Sequence, residues 1–128
     1  MNKRIILTAS FFGALAVIFG AFGAHSLKNM ITEQASATWS KGVEYQFYHV
    51  LALLFLSTLC RFKNALVDWA YYCFTAGILC FSGSLYLLAT RQIHDISFVN
   101  YIGPVTPVGG VFFIAGWSLL FAAAMKYK

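Results

Sequence analysis

Residues 69–90, WAYYCFTAGILCFSGSLYLLAT, run for 22 positions without a charge, and residues 78–88 within them show no alternation of apolar and polar side chains. A membrane-crossing strand needs that alternation over about ten residues, whereas a helix needs ~20 predominantly apolar residues to cross a hydrocarbon layer of ~30 Å. Water is absent from that layer, so such a segment must close its own backbone hydrogen bonds, which makes it a helix. Outward from this stretch, charged residues mark off three more apolar runs: 5–24, 45–60 and 107–125. The run at 45–60 is short, and residues 39–44 before it extend a helix into the headgroup region. The expected fold is therefore an all-α integral membrane protein with four transmembrane helices, spanning about 5–24, 45–60, 69–90 and 107–125. Together they form a single membrane domain over residues 1–128.

Composition supports this reading. Of 128 residues, 60% are apolar and only 10% charged, with a mean hydropathy of +0.73. Soluble domains carry about 25% charged residues, so a soluble globule of this composition could not cover its surface. Disorder needs low hydrophobicity and high net charge. The net charge of +5 comes from basic residues scattered between long neutral runs, which is not the patch that nucleic acid requires. No nucleic-acid partner is expected; the bilayer is. Lys3 and Arg4, Arg61 and Lys63, and Lys126 and Lys128 fall on one side of a four-span topology and hold six of the nine Lys and Arg residues. Lys28, Lys41 and Arg91 fall on the other. The positive-inside rule then places both termini in the cytoplasm, in a multi-pass protein of the cell (inner) membrane. Trp69, Tyr71 and Tyr72 suit an interfacial aromatic belt.

The first run resembles the core of a secretory signal peptide, but it is longer than the usual 7–15 apolar residues. Ala9, Gly13, Ala16, Gly20 and Ala24 also recur along it as a small-residue stripe of the kind that lets membrane helices approach closely. A retained helix with a packing face is expected. In the first loop, residues 32–44 combine good helix formers with a Thr32 cap and Glu33 in the first turn. They predict a short interfacial helix running almost directly into the second span. Residues 103–110, GPVTPVGG, carry two prolines and three glycines. They predict a non-helical re-entrant turn capping the last helix, with Pro107 in its first turn.

Polar residues inside a membrane are costly and mark candidate sites. Tyr45 and His49 share a helix face four residues apart, with Gln46 beside them. His25 follows a chain turn that brings it toward that face. Ser82, Ser84 and Tyr86 make a polar patch on the third helix, and Thr106 lies in the predicted turn. His25, Tyr45, Gln46, His49, Ser82, Ser84, Tyr86 and Thr106 thus form a candidate polar pocket toward the outer surface. Two imidazoles suit a transition metal or a haem iron. Against that, no carboxylate completes a ligand spacing, and His49 and the serines also suit hydrogen bonds between helices. No metal site, cofactor or catalytic residue is assigned. Cys60, Cys73 and Cys80 lack a Cys-x-x-Cys pattern and read as small apolar residues. No carboxylate falls in mid-membrane, which weighs against a proton-coupled pump.

The segments GAFGAH at 20–25, YQFYH at 45–49, FSGSLY at 81–86 and GPVTPVGG at 103–110 closely resemble the YgdD/YwdK-like family. These are small bacterial inner-membrane proteins, similar to a mitochondrial transmembrane protein of animals and grouped as a domain of unknown function. The resemblance implies a four-helix membrane protein without established activity, and it supplies no catalytic residues. The expected function is non-enzymatic packing or assembly, as an accessory membrane protein working as a homo-oligomer or within a larger membrane complex. The alternative is a binding or transport module for a small ligand, quinone, haem or metal in the polar pocket.

Overall fold

The computed structural model describes residues 1–59 and 64–126. Cys60, Arg61, Lys63 and Lys128, which entered the expectations above, lie outside the described residues. The elements in order are α1 (Lys3–Phe22) continuing into a π-turn (Gly23–Leu27), α2 (Glu33–Thr58), α3 (Ala65–Gly77), a second π-turn (Ile78–Ser82), α4 (Gly83–Ala89), a 3₁₀ turn (Ser97–Tyr101) and α5 (Val105–Met125). The described residues contain no strand.

Local chemistry accounts for the helix starts. Asn2, Thr32 and Asn64 each accept a hydrogen bond from a first-turn backbone N–H, those of Arg4, Ala35 and Leu66, so three orphan donors are satisfied. The Thr32 cap and Glu33 in the first turn of α2 match the sequence reading. The expected short interfacial helix, however, is no separate element: α2 is one unbroken helix of 26 residues. Nothing between 33 and 58 breaks it, since the only glycine, Gly42, is helical and packed against Tyr86.

The reading of 103–110 is corrected more sharply. Pro104 caps α5, and Thr106, Pro107, Gly109 and Gly110 all lie within the helix. Pro107 is tolerated because first-turn N–H groups have no intrahelical acceptor to lose. Gly109 serves space, not bending. Among the described residues no glycine has a positive φ, and Gly109 lies so close to the second π-turn that any Cβ would collide with the Phe81 backbone.

The rods alternate in direction. Asn2 N–H donates to Ser57 O at 3.1 Å, so the start of α1 meets the end of α2. Arg4 reaches Asp68 at 3.5 Å and the Tyr72 hydroxyl at 3.2 Å, which brings the start of α3 to the same end. Its guanidinium also lies over the Tyr71 ring. The main core joins Ile5 and Ala9 of α1, Leu53 and Leu56 of α2, Ala70 and Phe74 of α3, and Phe113 of α5. A smaller cluster at the far end gathers Leu27, Trp39 and Ala89.

Among the described residues, three helical rods are long and apolar enough to cross a membrane: Lys3–Leu27, Ala65–Ala89 and Val105–Met125. The expected four are thus matched in three. α2 has the length but carries Lys41, Glu44, Gln46 and His49 toward its middle, and these lower its mean hydropathy.

Candidate functional site

The polar residues singled out in the sequence lie on four rods, and most of them bond to a neighbouring helix. Gln46 is 2% exposed and Ser82 0%, so neither can serve a ligand arriving from solvent. Gln46 Nε2 donates to Phe12 O at 2.7 Å. Its Oε1 accepts from the Tyr86 hydroxyl at 2.6 Å. One side chain therefore ties α1, α2 and α4 together. Beside it, Ser82 Oγ donates to Gly42 O at 2.6 Å. Gly42 is small because the Tyr86 ring fills its place: an added Cβ would sit 2.8 Å from the ring.

Aromatic rings seal this cluster toward the far end. Tyr86 lies edge-on to Phe19 at 5.0 Å and against Trp39 at 4.7 Å. Trp39 Nε1 donates to Phe19 O at 2.8 Å. The role of Trp39 as a clamp on α1 was not legible in its own helix. The signal was Gly23, whose missing side chain makes room for the indole: a Cβ there would lie 2.5 Å from it.

His49 forms a second cluster. Its Nδ1 lies 2.7 Å from Tyr45 O and its Nε2 accepts from Trp117 Nε1 at 3.2 Å. A carbonyl only accepts and an indole only donates, so the partners define the neutral tautomer with the proton on Nδ1. The imidazole stacks on Phe113 at 3.5 Å, nearly parallel. Both ring nitrogens are committed, which leaves no lone pair for a metal in this arrangement. Tyr45 meets His49 through its carbonyl; its ring packs on Phe81. Trp117 was not anticipated, because nothing in its local sequence points at residue 49.

A third pair joins α4 to α5, with Ser84 and Thr106 hydroxyls 2.6 Å apart. His25 belongs to none of these groups. It is exposed on the first π-turn, so the expected approach of His25 to His49 does not occur. Its place on a turn beyond the Phe19–Trp39 clamp keeps it outside the core. His94 lies in the loop after α4, 3.1 Å from Thr90 Oγ1.

Gln46, His49, Ser82, Ser84, Tyr86 and Thr106 are thus divided among separate interhelical bonds, with Tyr45 bonded inside α2 and His25 apart from them. Among the described residues, His49 bonds to the Tyr45 carbonyl and the Trp117 indole and to no nucleophile, and no three His, Cys, Asp or Glu side chains converge. Cys73 and Cys80 are free thiols. On the exposed side of α2, Lys41 pairs with Glu44 at 3.1 Å.

What the geometry defines is a small all-helical membrane protein whose internal polar groups join helices. The chain belongs to the family described as Protein of unknown function (DUF423), whose model matches residues 19–110. It is 40% identical to a UPF0382 membrane protein of Staphylococcus aureus (strain bovine RF122 / ET3-1) over 98% of each chain. It is 36% identical to one of Staphylococcus haemolyticus (strain JCSC1435), also over 98% of each. The UPF0382 membrane protein YwdK of Bacillus subtilis (strain 168) is 39% identical over 98% of each chain. No solved structure matches.

Proposed function

We propose that this chain is a four-span protein of the cytoplasmic membrane, both termini in the cytoplasm, acting as a packing or accessory subunit and not as an enzyme. The observation that carries the reading is the use of its buried polar side chains. Gln46, Ser82, Ser84, Tyr86 and His49 each engage a neighbouring helix, so these five buried side chains act as rivets between helices. The outward faces of α1 and α5 carry large exposed apolar side chains, including Phe11, Val111, Ile114 and Phe121. Such faces suit lipid or another membrane protein.

The pairing of α2 with α1 supports the fourth span. α2 runs antiparallel to α1, with Val50 against Gly13 and Val43 against Gly20. A helix that crosses the membrane beside it carries α2 to the same depth, and α2 turns Gln46 and His49 inward. Reporter fusions at Lys128 and within 33–41 are expected on opposite sides, the former cytoplasmic; fusions on one side would remove the four-span reading. Affinity capture from native membranes is expected to return a stoichiometric membrane partner or a second copy of the chain. Purified protein carrying a chromophore, or near-unit metal that disappears in His49→Ala, would replace the packing role with a binding one.

A further inference from the structure

At the far end of the bundle, beside the cluster of Leu27, Trp39 and Ala89, a groove of about 440 Å³ runs between the start of α2 and the end of α4. That volume falls within the ~300–1,000 Å³ range of small-ligand sites. Its apolar floor is Leu88 and Ala89, the last two residues of the membrane-capable rod Ala65–Ala89. The groove therefore straddles the edge of the hydrocarbon layer, at the level of the lipid headgroups. Arg91 is its one charged lining residue. Ion pairs among the described residues join Arg4 to Asp68 and Lys41 to Glu44, so the Arg91 guanidinium is unpaired. The side-chain amides of Gln34 and Gln92, which also line the groove, are likewise without a protein partner among the described residues. Thr32 Oγ1 accepts from the Ala35 N–H, so the donors facing the groove are side chains and not that first-turn backbone group. No carboxylate lines it. Glu33 borders a separate depression with Lys28, and Asp95 borders another, which shares only Arg91 with this groove.

We propose that this groove holds the phosphodiester of one membrane lipid, its phosphate oxygens on the Arg91 guanidinium and the Gln34 and Gln92 amide groups, and its glycerol end over Leu88 and Ala89. A guanidinium presents its donors in a planar fork that matches phosphate oxygens, and the absence of a lining carboxylate leaves that charge to an outside anion. A sugar headgroup offers the guanidinium no charge, and a soluble phosphate has no apolar end to lay on Leu88. The inference rests on the membrane insertion proposed above, which the reporter fusions test separately.

The test is native mass spectrometry of the full-length chain released from nanodiscs of equal phosphatidylglycerol and monogalactosyl diacylglycerol, a lipid without phosphate. One retained phosphatidylglycerol is expected, reduced at least tenfold in Arg91→Gln and less in Arg91→Lys, which keeps the charge but not the fork. Lys28→Gln, which removes a cation outside the groove, is expected to retain the lipid as the parent does. Circular dichroism checks that each variant keeps its helices. On the unaltered protein in neutral detergent, phosphatidylglycerol is expected to slow hydrogen exchange at residues 32–38 and 88–92, and inorganic phosphate alone is not; this arm stands even if Arg91→Gln misfolds. Equal retention of both lipids, unchanged retention in folded Arg91→Gln, protection confined to other residues, or equal protection by inorganic phosphate would overturn the assignment. A correctly inserted protein that retains no phosphatidylglycerol refutes the lipid site and leaves the topology standing.

Discussion

The α1–α2 pairing and the α3–α5 pairing solve the same problem in different ways. Between α1 and α2 the glycines inside the helix leave looser contacts: a Cβ on Gly20 would lie an ordinary 3.5 Å from Val43, and one on Gly13 a tight 3.2 Å from the Val50 side chain. The closeness there is modest, and a polar bond from Gln46 to Phe12 O adds to it. Between α3 and α5 the helices interlock. Phe113 occupies the place of a Gly77 side chain, Phe74 that of Gly116, and the Phe81 backbone that of Gly109, all on one antiparallel register that Ser84 and Thr106 continue. Lipid chains are as apolar as leucine, so membrane helices associate through close packing and hydrogen bonds and not through water's exclusion. One seam relies on a buried amide, the other on shape.

The sharpest way to break this contrast is Gly109→Ala. Its Cβ meets backbone, which cannot rotate away, so a loss of about 3 kcal/mol or more is expected in detergent unfolding. A cost equal to that of Gly20→Ala would erase the difference between the seams. Next comes Gln46→Leu, which keeps the volume but leaves the buried Tyr86 hydroxyl without its acceptor; about 1–3 kcal/mol is expected by the same measurement. An unchanged midpoint would mean that the first seam is held by packing alone. Trp117→Phe removes the donor to His49 Nε2 while keeping a ring, and about 0.6 kcal/mol is expected, the average for such bonds in membranes. The smallest effects belong to Gly20→Ala and Gly110→Ala, expected within about 0.5–1 kcal/mol of the parent and favouring stability at Gly110, where the added methyl enters open space. Adjacent glycines in α5 would then answer the same substitution with opposite signs.

Much of the fold is legible in the amino-acid order. The apolar runs mark the helices, and the Thr32 cap opens α2 where expected. The stripe of Ala9, Gly13, Ala16 and Gly20 does face α2, though Ala24 is exposed on the π-turn beyond it. The site was legible only as a set of residue types. Gln46, Tyr86, Ser82 and His49 are polar groups turned into the bundle, as their place in apolar runs implied, yet their partners were not readable. Nor was the helicity of Gly109 and Gly110, because glycine and proline signal loops by local propensity while here the neighbouring Phe81 backbone sets the requirement at Gly109.

Hydropathy and capping act over one residue or one turn, so the sequence by itself determined that this chain is helical, where α2 begins, and that it belongs in a membrane. Which histidine is enclosed, which glycine yields room to a ring, and which hydroxyl meets which carbonyl were decided only in three dimensions. His49 and Trp117 are 68 positions apart in the chain, and no local pattern encodes such a meeting. It exists because antiparallel rods, once packed, bring fixed heights on different helices together.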